Sequence, residues 1–326
     1  MTVAWIVFVL ITGRVLTMGG QFGERLAAGA GRPRRFVWLA TLFATALWPA
    51  VSLGVLNLAS AARDFGWGLG GPRDIPLIVL RVPSAMVPAW FDSALLVAWG
   101  IVSTVLLTRL ALFAYATKRW RQTLATVELD GVRVRLSHNA GPAVVGVRAM
   151  DVVIPAWVLS LDASMQRMVV RHETAHRDAG DIRLLWIAAV LTALMPWNLL
   201  LWWQSSRLRL AIEMDCDARV LRHETGLAEY ARLLLYVAQQ ASGSRVVPRL
   251  APALNGGTTK LEYRLAAMSQ HQPVTTALSR IACVVALVHI VVLALAIKAP
   301  VIERARPERP QVQFVRLPVV LVSPGR

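Results

Sequence analysis

Two short runs of the chain carry residue types that together can hold a metal and cleave an amide. The first is Arg171-His172-Glu173-Thr174-Ala175-His176-Arg177-Asp178-Ala179-Gly180-Asp181. On a helix, His172 and His176 stand one turn apart on one face, where two imidazoles can hold one zinc ion, and Glu173 projects beside it. Zinc held by three protein groups keeps an open position for water and lowers the pKa of that water to about 7, and a neighbouring carboxylate can take the proton. The second run, Leu210-Ala211-Ile212-Glu213-Met214-Asp215-Cys216-Asp217-Ala218-Arg219, supplies a third ligand in Glu213 and, one turn later, Asp217. A ligating imidazole usually donates its other N–H to a carboxylate, so Asp217 is expected to orient His172. An HExxH pentapeptide alone also arises on ordinary polar helix faces. Joined to ExxxD on a second helix, with an apolar helix between, it specifies a hydrolytic zinc site with Glu173 as general base. Cys216 neighbours the better-spaced Glu213 and reads as a buried structural thiol. With Cys283 the only other cysteine, no disulfide framework is implied.

The elements that must position these residues belong to a membrane protein. Of 326 residues 56% are hydrophobic and only 17% charged, against about a quarter charged in an ordinary soluble domain. The net charge of +16 comes almost entirely from Arg scattered through loops and helix ends. That pattern suits contact with acidic lipid and lacks the compact, aromatic-interleaved stripe of a nucleic-acid surface. Residues 2–20 read as a first transmembrane helix with Arg14 near its end, Phe36 to Ser60 as a second with Pro49 bending it, and Ser93 to Thr117 as a third. Arg109 within the third span has no functional role on this reading. Basic clusters at 25–35 and 118–121 place those segments in the cytoplasm and the Gly- and Pro-rich loop at 61–92 outside.

From Thr123 the pattern alternates with period two. Asp130-Gly131 between Thr126–Leu129 and Val132–Leu136 signals a hairpin, and 143–147 and 151–155 read as further strands. An edge strand beside a zinc cleft can bind an extended peptide by strand addition. The metal helix is expected to start near Leu161, capped by Asp162 or Ser164. Ile182 to Trp203 is long enough to cross a membrane, but a crossing would put His176 and Glu213 on opposite sides. Two apolar helices broken at Pro196, buried or re-entrant, are therefore expected. Helices follow at about 205–223, 227–241 and 260–268, with a Gly/Pro/Ser-rich link at 242–257. Ala277 to Ile297 is a last span in which His289 is a packed polar group, and an Arg- and Pro-rich tail is expected to be extended or disordered.

The run His172 to Asp181, the Pro196-Trp197-Asn198 break, Glu213 to Leu221, Tyr230 with its following leucines, and Gly141-Pro142 resemble the BlaR/MecR-type antirepressor metallopeptidases over about residues 90–300. The resemblance implies an α-helical integral membrane protein with an embedded α+β zincin-like metallopeptidase domain of the gluzincin type. His172, His176 and Glu213 would hold Zn2+, Glu173 would be the base, and the site would face the cytoplasm of a bacterial-type inner membrane. The expected organisation is a three-span region at 1–117, a peptidase domain at 118–272, a last span at 273–298 and a tail at 299–326. Sensor members carry an exterior penicillin-binding domain after the last span, and the tail is too short to form one, so direct beta-lactam sensing is not expected. The site is also similar to that of HtpX-type membrane peptidases. Three functions compete: cleavage of a cytoplasmic regulator, quality control of membrane proteins, and a catalytically silent receptor or scaffold. Expected partners are a protein or peptide substrate, with a cytoplasmic transcriptional repressor as the specific candidate, the bilayer, and a second copy of the chain.

Overall fold

The computed structural model describes residues 2–64, 78–79, 88–138, 140–222, 226–243, 258–269 and 276–298. The expectations for the tail at 299–326, for the link at 244–257 and for most of the loop at 61–92 lie outside the described residues.

The opening apolar run forms α1 (Thr2–Gly29), which turns at Gly31 (φ 63°) into α2 (Arg35–Asp64). Gly19-Gly20 does not stop α1, because its glycines serve close packing. A Cβ on Gly20 would lie 2.7 Å from Thr41 Oγ1, and one on Gly23 2.9 Å from Val37 Cγ1, both on α2. Across the interface Gln204 Nε2 donates to Thr17 Oγ1 at 2.7 Å and to Thr45 Oγ1 at 2.9 Å, a fully buried polar tie between three helices. After the strand β1 (Ile78–Val79), α3 (Ala89–Thr123) is long, apolar and almost unburied. Four helical stretches among the described residues are long and apolar enough to cross a membrane: Val3–Gly29, Arg35–Ser52, Trp90–Thr123 and Ala277–Ala296.

The hairpin forms as Asp130-Gly131 predicts. Asp130 (φ 52°) and Gly131 (φ 71°) both take left-handed backbone and join β2 (Ala125–Leu129) to β3 (Val132–Ser137). β4 (Ala143–Val145) and β5 (Asp151–Pro155) complete a sheet of order β2-β3-β5-β4, in which β3 and β5 run parallel and β4 is an outer edge. The metal-motif helix α4 (Ala163–Ala179) begins at Asp162, whose Oδ1 accepts from the N–H groups of Ser164 and Met165, and ends at left-handed Gly180. α5 (Asp181–Leu194) follows at once. The chain breaks at Met195–Asn198, as Pro196 predicts, and Asn198 caps α6 (Leu199–Val220), which packs against α5. Neither α5 nor α6 qualifies as a membrane span. α7 (Leu227–Gly243), α8 (Thr258–Ser269) and α9 (Ala277–Ala296) follow, and β6 (Ile297–Lys298) pairs with β1.

Two apolar cores share one helix. Trp38 and Leu42 of α2 pack with Ala188 of α5 and with Leu208 and Ile212 of α6. Val152 and Ile154 of β5 pack with Met168 and Val169 of α4, Tyr230 of α7, and Cys216 and Val220 of α6. Among the described residues, α6 alone contributes fully buried side chains to both, and Glu213 stands between its two contributions.

Candidate metal centre

The spacing of α4 sets His172 and His176 one turn apart, with Nε2 atoms 3.2 Å from each other. Glu213 comes in from α6: its Oε2 lies 3.8 Å from His172 Nε2 and its Oε1 3.9 Å from His176 Nε2. Zinc bonds of about 2.0–2.2 Å put tetrahedral ligand atoms about 3.3–3.6 Å apart, so the three groups stand close to the spacing the ion requires.

The outer nitrogens decide which ring atoms are free. Tyr230 Oη donates to Asp217 Oδ1 at 2.8 Å, so its oxygen accepts from His172 Nδ1, also at 2.8 Å. A ring protonated at Nδ1 keeps a bare lone pair at Nε2. His176 Nδ1 is likewise engaged, 2.8 Å from Asp181 Oδ2. Two lone pairs 3.2 Å apart repel each other unless a cation lies between them. In the metal-free protein a proton can serve: burial, backed by the charge on His176, pushes His172 well below the ordinary histidine range. Burial opposes charge on His176 as well, but its bond to Asp181, with Cys216 and Glu213, overrides that and holds it well above. A divalent ion would displace that proton. The donor set therefore fits zinc.

Cys216 offers a second grouping, since His172, His176 and Cys216 can bring ligand atoms within 4.8 Å of one another. The geometry favours Glu213. Cys216 Sγ sits 3.5 Å from His172 Nδ1, the atom already bonded to Tyr230, and 3.5 Å from the His172 carbonyl oxygen, to which it donates. Burial also pushes its thiol up, away from the thiolate a metal needs.

Glu173 is buried at 7% exposure beside the two histidines, in a cavity of about 480 Å³ that Glu213, Arg264 and the edge residues Ala143 and Val144 also line. Its carboxylate accepts no hydrogen bond from the described residues. Burial, with the Glu213 charge adding to it, pushes its pKa up to about 7.

One expectation needs correction. Asp217 does not bond His172 directly; its Oδ1 is 4.0 Å from Nδ1, and the phenol of Tyr230 fills the gap. The carboxylate, 2% exposed, is taken by Arg264 of α8, whose Nε and Nη2 donate to Oδ2 and Oδ1 at 2.8 and 2.7 Å. Arg264 Nη1 also reaches Glu213 Oε2 at 3.0 Å. Asp181, inside the first motif, is the direct partner of His176, and it is flanked by Arg219 Nη2 at 2.8 Å and Arg35 Nη1 at 3.3 Å. The Arg35 contact lacks hydrogen-bond geometry and acts through charge alone. Arg264, Arg219 and Arg35 escaped sequence reading, although a buried carboxylate such as Asp217 or Asp181 requires a cation. His289 is not packed as expected: it lies exposed on α9, where its Nδ1 bonds the Val285 carbonyl of its own helix at 2.8 Å.

A helical chain with several membrane-length apolar helices and a part-buried His, His and carboxylate cluster in a cleft has the features of a membrane-associated metallopeptidase. The family model for BlaR1 peptidase M56 matches residues 79–268. The chain belongs to that family. The matched segment contains both motifs and ends before α9. No curated protein matches the chain.

Tyr230→Phe isolates the hydrogen-bond path. The variant keeps the ring and its packing but leaves His172 Nδ1 with only the weaker Cys216 Sγ at 3.5 Å, and partners of this kind typically account for about 10- to 100-fold in metal affinity. Competition with a chromophoric chelator should show a loss in that range with the far-ultraviolet circular dichroism unchanged. Unaltered affinity would remove Tyr230 from the metal site.

Proposed function

We propose that this chain is a zinc-dependent endopeptidase of the inner membrane that cleaves a cytoplasmic regulator, with a transcriptional repressor as the favoured substrate class. The observation that carries the reading is the pair of bare Nε2 atoms on His172 and His176, facing Glu213 across a cleft that also holds a buried Glu173. His172, His176 and Glu213 would hold the zinc. When bound, zinc supplies Lewis-acid polarisation of a carbonyl and an activated water.

The chain's own groups account for the rest. Glu173 takes and returns a proton at its carboxylate, which burial tunes towards neutrality. Tyr230 and Asp181 hold the two imidazoles in one tautomer. Arg264 balances Glu213 and Asp217. β4 is hydrogen-bonded on one side only, to β5, so its free edge can add an extended peptide strand along the cleft. We take residues 118–272 as the peptidase domain, with α5 and the start of α6 as an apolar hairpin that leaves and returns on one side. The basic residues at 25–35 and 118–121 support a cytoplasmic position for that side.

Mapping new protein N-termini in cells expressing the wild-type chain or Glu173→Gln tests the substrate class. Cleavage of a regulator should give a few fragments from soluble DNA-binding proteins that vanish in the variant. A broad set of fragments from damaged membrane proteins would favour quality control, and fragments drawn only from exterior proteins would overturn the cytoplasmic site.

A further inference from the structure

Away from the metal centre, a second cavity of about 370 Å³ opens where α1, the α1–α2 turn and α6 meet. Gln21, Glu24 and Arg25 line it from the last turns of α1, Arg34 from the turn, and Trp203 and Arg207 from α6. Its charges do not balance. Arg207 Nη2 pairs with Glu24 Oε2 at 2.7 Å, and no other carboxylate lines the cavity. The Arg34 guanidinium bonds a sulfur, Met214 Sδ at 3.7 Å, and its charge is felt by the Asp215 carboxylate outside the cavity lining, while that of Arg25 lies over the Phe22 ring at 5.5 Å. No ion pair to either is present among the described residues. Arg207 itself is fixed over Trp38 and Trp203, 5.4 and 5.9 Å from their ring centroids, and its Nε is buried without a hydrogen-bond partner. Three guanidinium groups thus surround a space with one carboxylate, and Arg207 keeps one buried donor without a partner.

We propose that this groove binds the phosphate of an anionic phospholipid headgroup, with Arg25, Arg34 and Arg207 as its ligands. Guanidinium forks match phosphate oxygens in geometry and in charge. The groove's place on the protein selects a lipid over a soluble phosphate. It lies where two membrane-length helices, α1 and α2, end at their basic connection, which is the headgroup level of a bilayer. Met18, exposed at 39%, stands one turn before Gln21 and Phe22 and two before Arg25, so acyl chains leaving the groove would run onto apolar helix surface. Trp203 at the rim suits the same depth. Occupancy also bears on α6, which carries Glu213: the N–H groups of Arg34 and Arg35 both donate to the Asp215 carboxylate at 3.1 Å, two residues beyond Glu213. The site stands whichever substrate the peptidase cleaves.

The test is native mass spectrometry of the full chain in detergent with equal amounts of phosphatidylglycerol and phosphatidylcholine of matched acyl chains. The wild type should retain one phosphatidylglycerol in preference to phosphatidylcholine. The double variant Arg25→Gln/Arg34→Gln should lose that preference on the order of tenfold, and Arg25→Lys/Arg34→Lys should keep most of it. Glu24→Gln removes the competing carboxylate and should strengthen retention, a gain that misfolding cannot produce. Equal retention of the two lipids by the wild type, or an undiminished preference in the double glutamine variant, would overturn the site. Displacement of phosphatidylglycerol by an equal concentration of inorganic phosphate would overturn the lipid as its occupant.

Discussion

Glu173→Gln is expected to keep one zinc per chain and to lose peptide hydrolysis by about 10²- to 10⁴-fold, the usual contribution of a positioned general base. The amide has the size of the carboxyl group but cannot take a proton. Because Glu173 is buried and accepts no hydrogen bond from the described residues, the exchange disrupts no described polar contact, and the fold should hold. Initial rates on a quenched fluorescent peptide mixture, measured beside zinc by plasma mass spectrometry, separate chemistry from metal loading. Cleavage at the wild-type rate would give Glu173 another job.

Metal content divides the two candidate ligand sets. His172→Ala and His176→Ala should each lose zinc, and so should Glu213→Ala, while Cys216→Ala should retain it near one ion per chain. The contrast follows from where each group points: Glu213 faces both Nε2 atoms, whereas Cys216 faces a ring nitrogen already bonded to Tyr230. The reverse outcome, zinc kept by Glu213→Ala and lost by Cys216→Ala, would move the third ligand to the thiol. Stoichiometric zinc in all four variants would place the ion elsewhere.

The parts of this architecture that show in the sequence are those governed by local period and local caps. Asp130-Gly131 demands a turn with two left-handed residues, Asp162 caps a helix, Pro196 breaks one, and two histidines at i and i+4 share a face wherever a helix forms. What escapes is convergence over distance. Nothing local says that β3 pairs in parallel with β5, or that Ile78 and Ile297 meet in a two-residue ladder. ExxxD spacing suggested a direct bond from Asp217 to His172, but the phenol that intervenes arrives on α7, and its placement is a product of core packing. Arg35 and Arg264 are ordinary basic residues in sequence, and only the fold brings them to Asp181 and Asp217. The first span reads as residues 2–20 in the sequence, yet α1 runs on to Gly29, and the lack of a side chain at Gly20 and Gly23 serves the neighbouring helix.

α6 carries a mechanical consequence. Its 22 residues make a stiff rod of about 33 Å, sunk at one end among the side chains of α2 and at the other among those of the sheet and α4. Close-packed interiors resist deformation and tend to shift as bodies. Leu208 and Ile212 are held against α2, while Cys216 and Val220 are held against the histidines' own helix. Glu213 sits in the single turn between the two sets. A substitution that shifts α6 against either core should therefore register as a change in the distance from that carboxylate to both imidazoles.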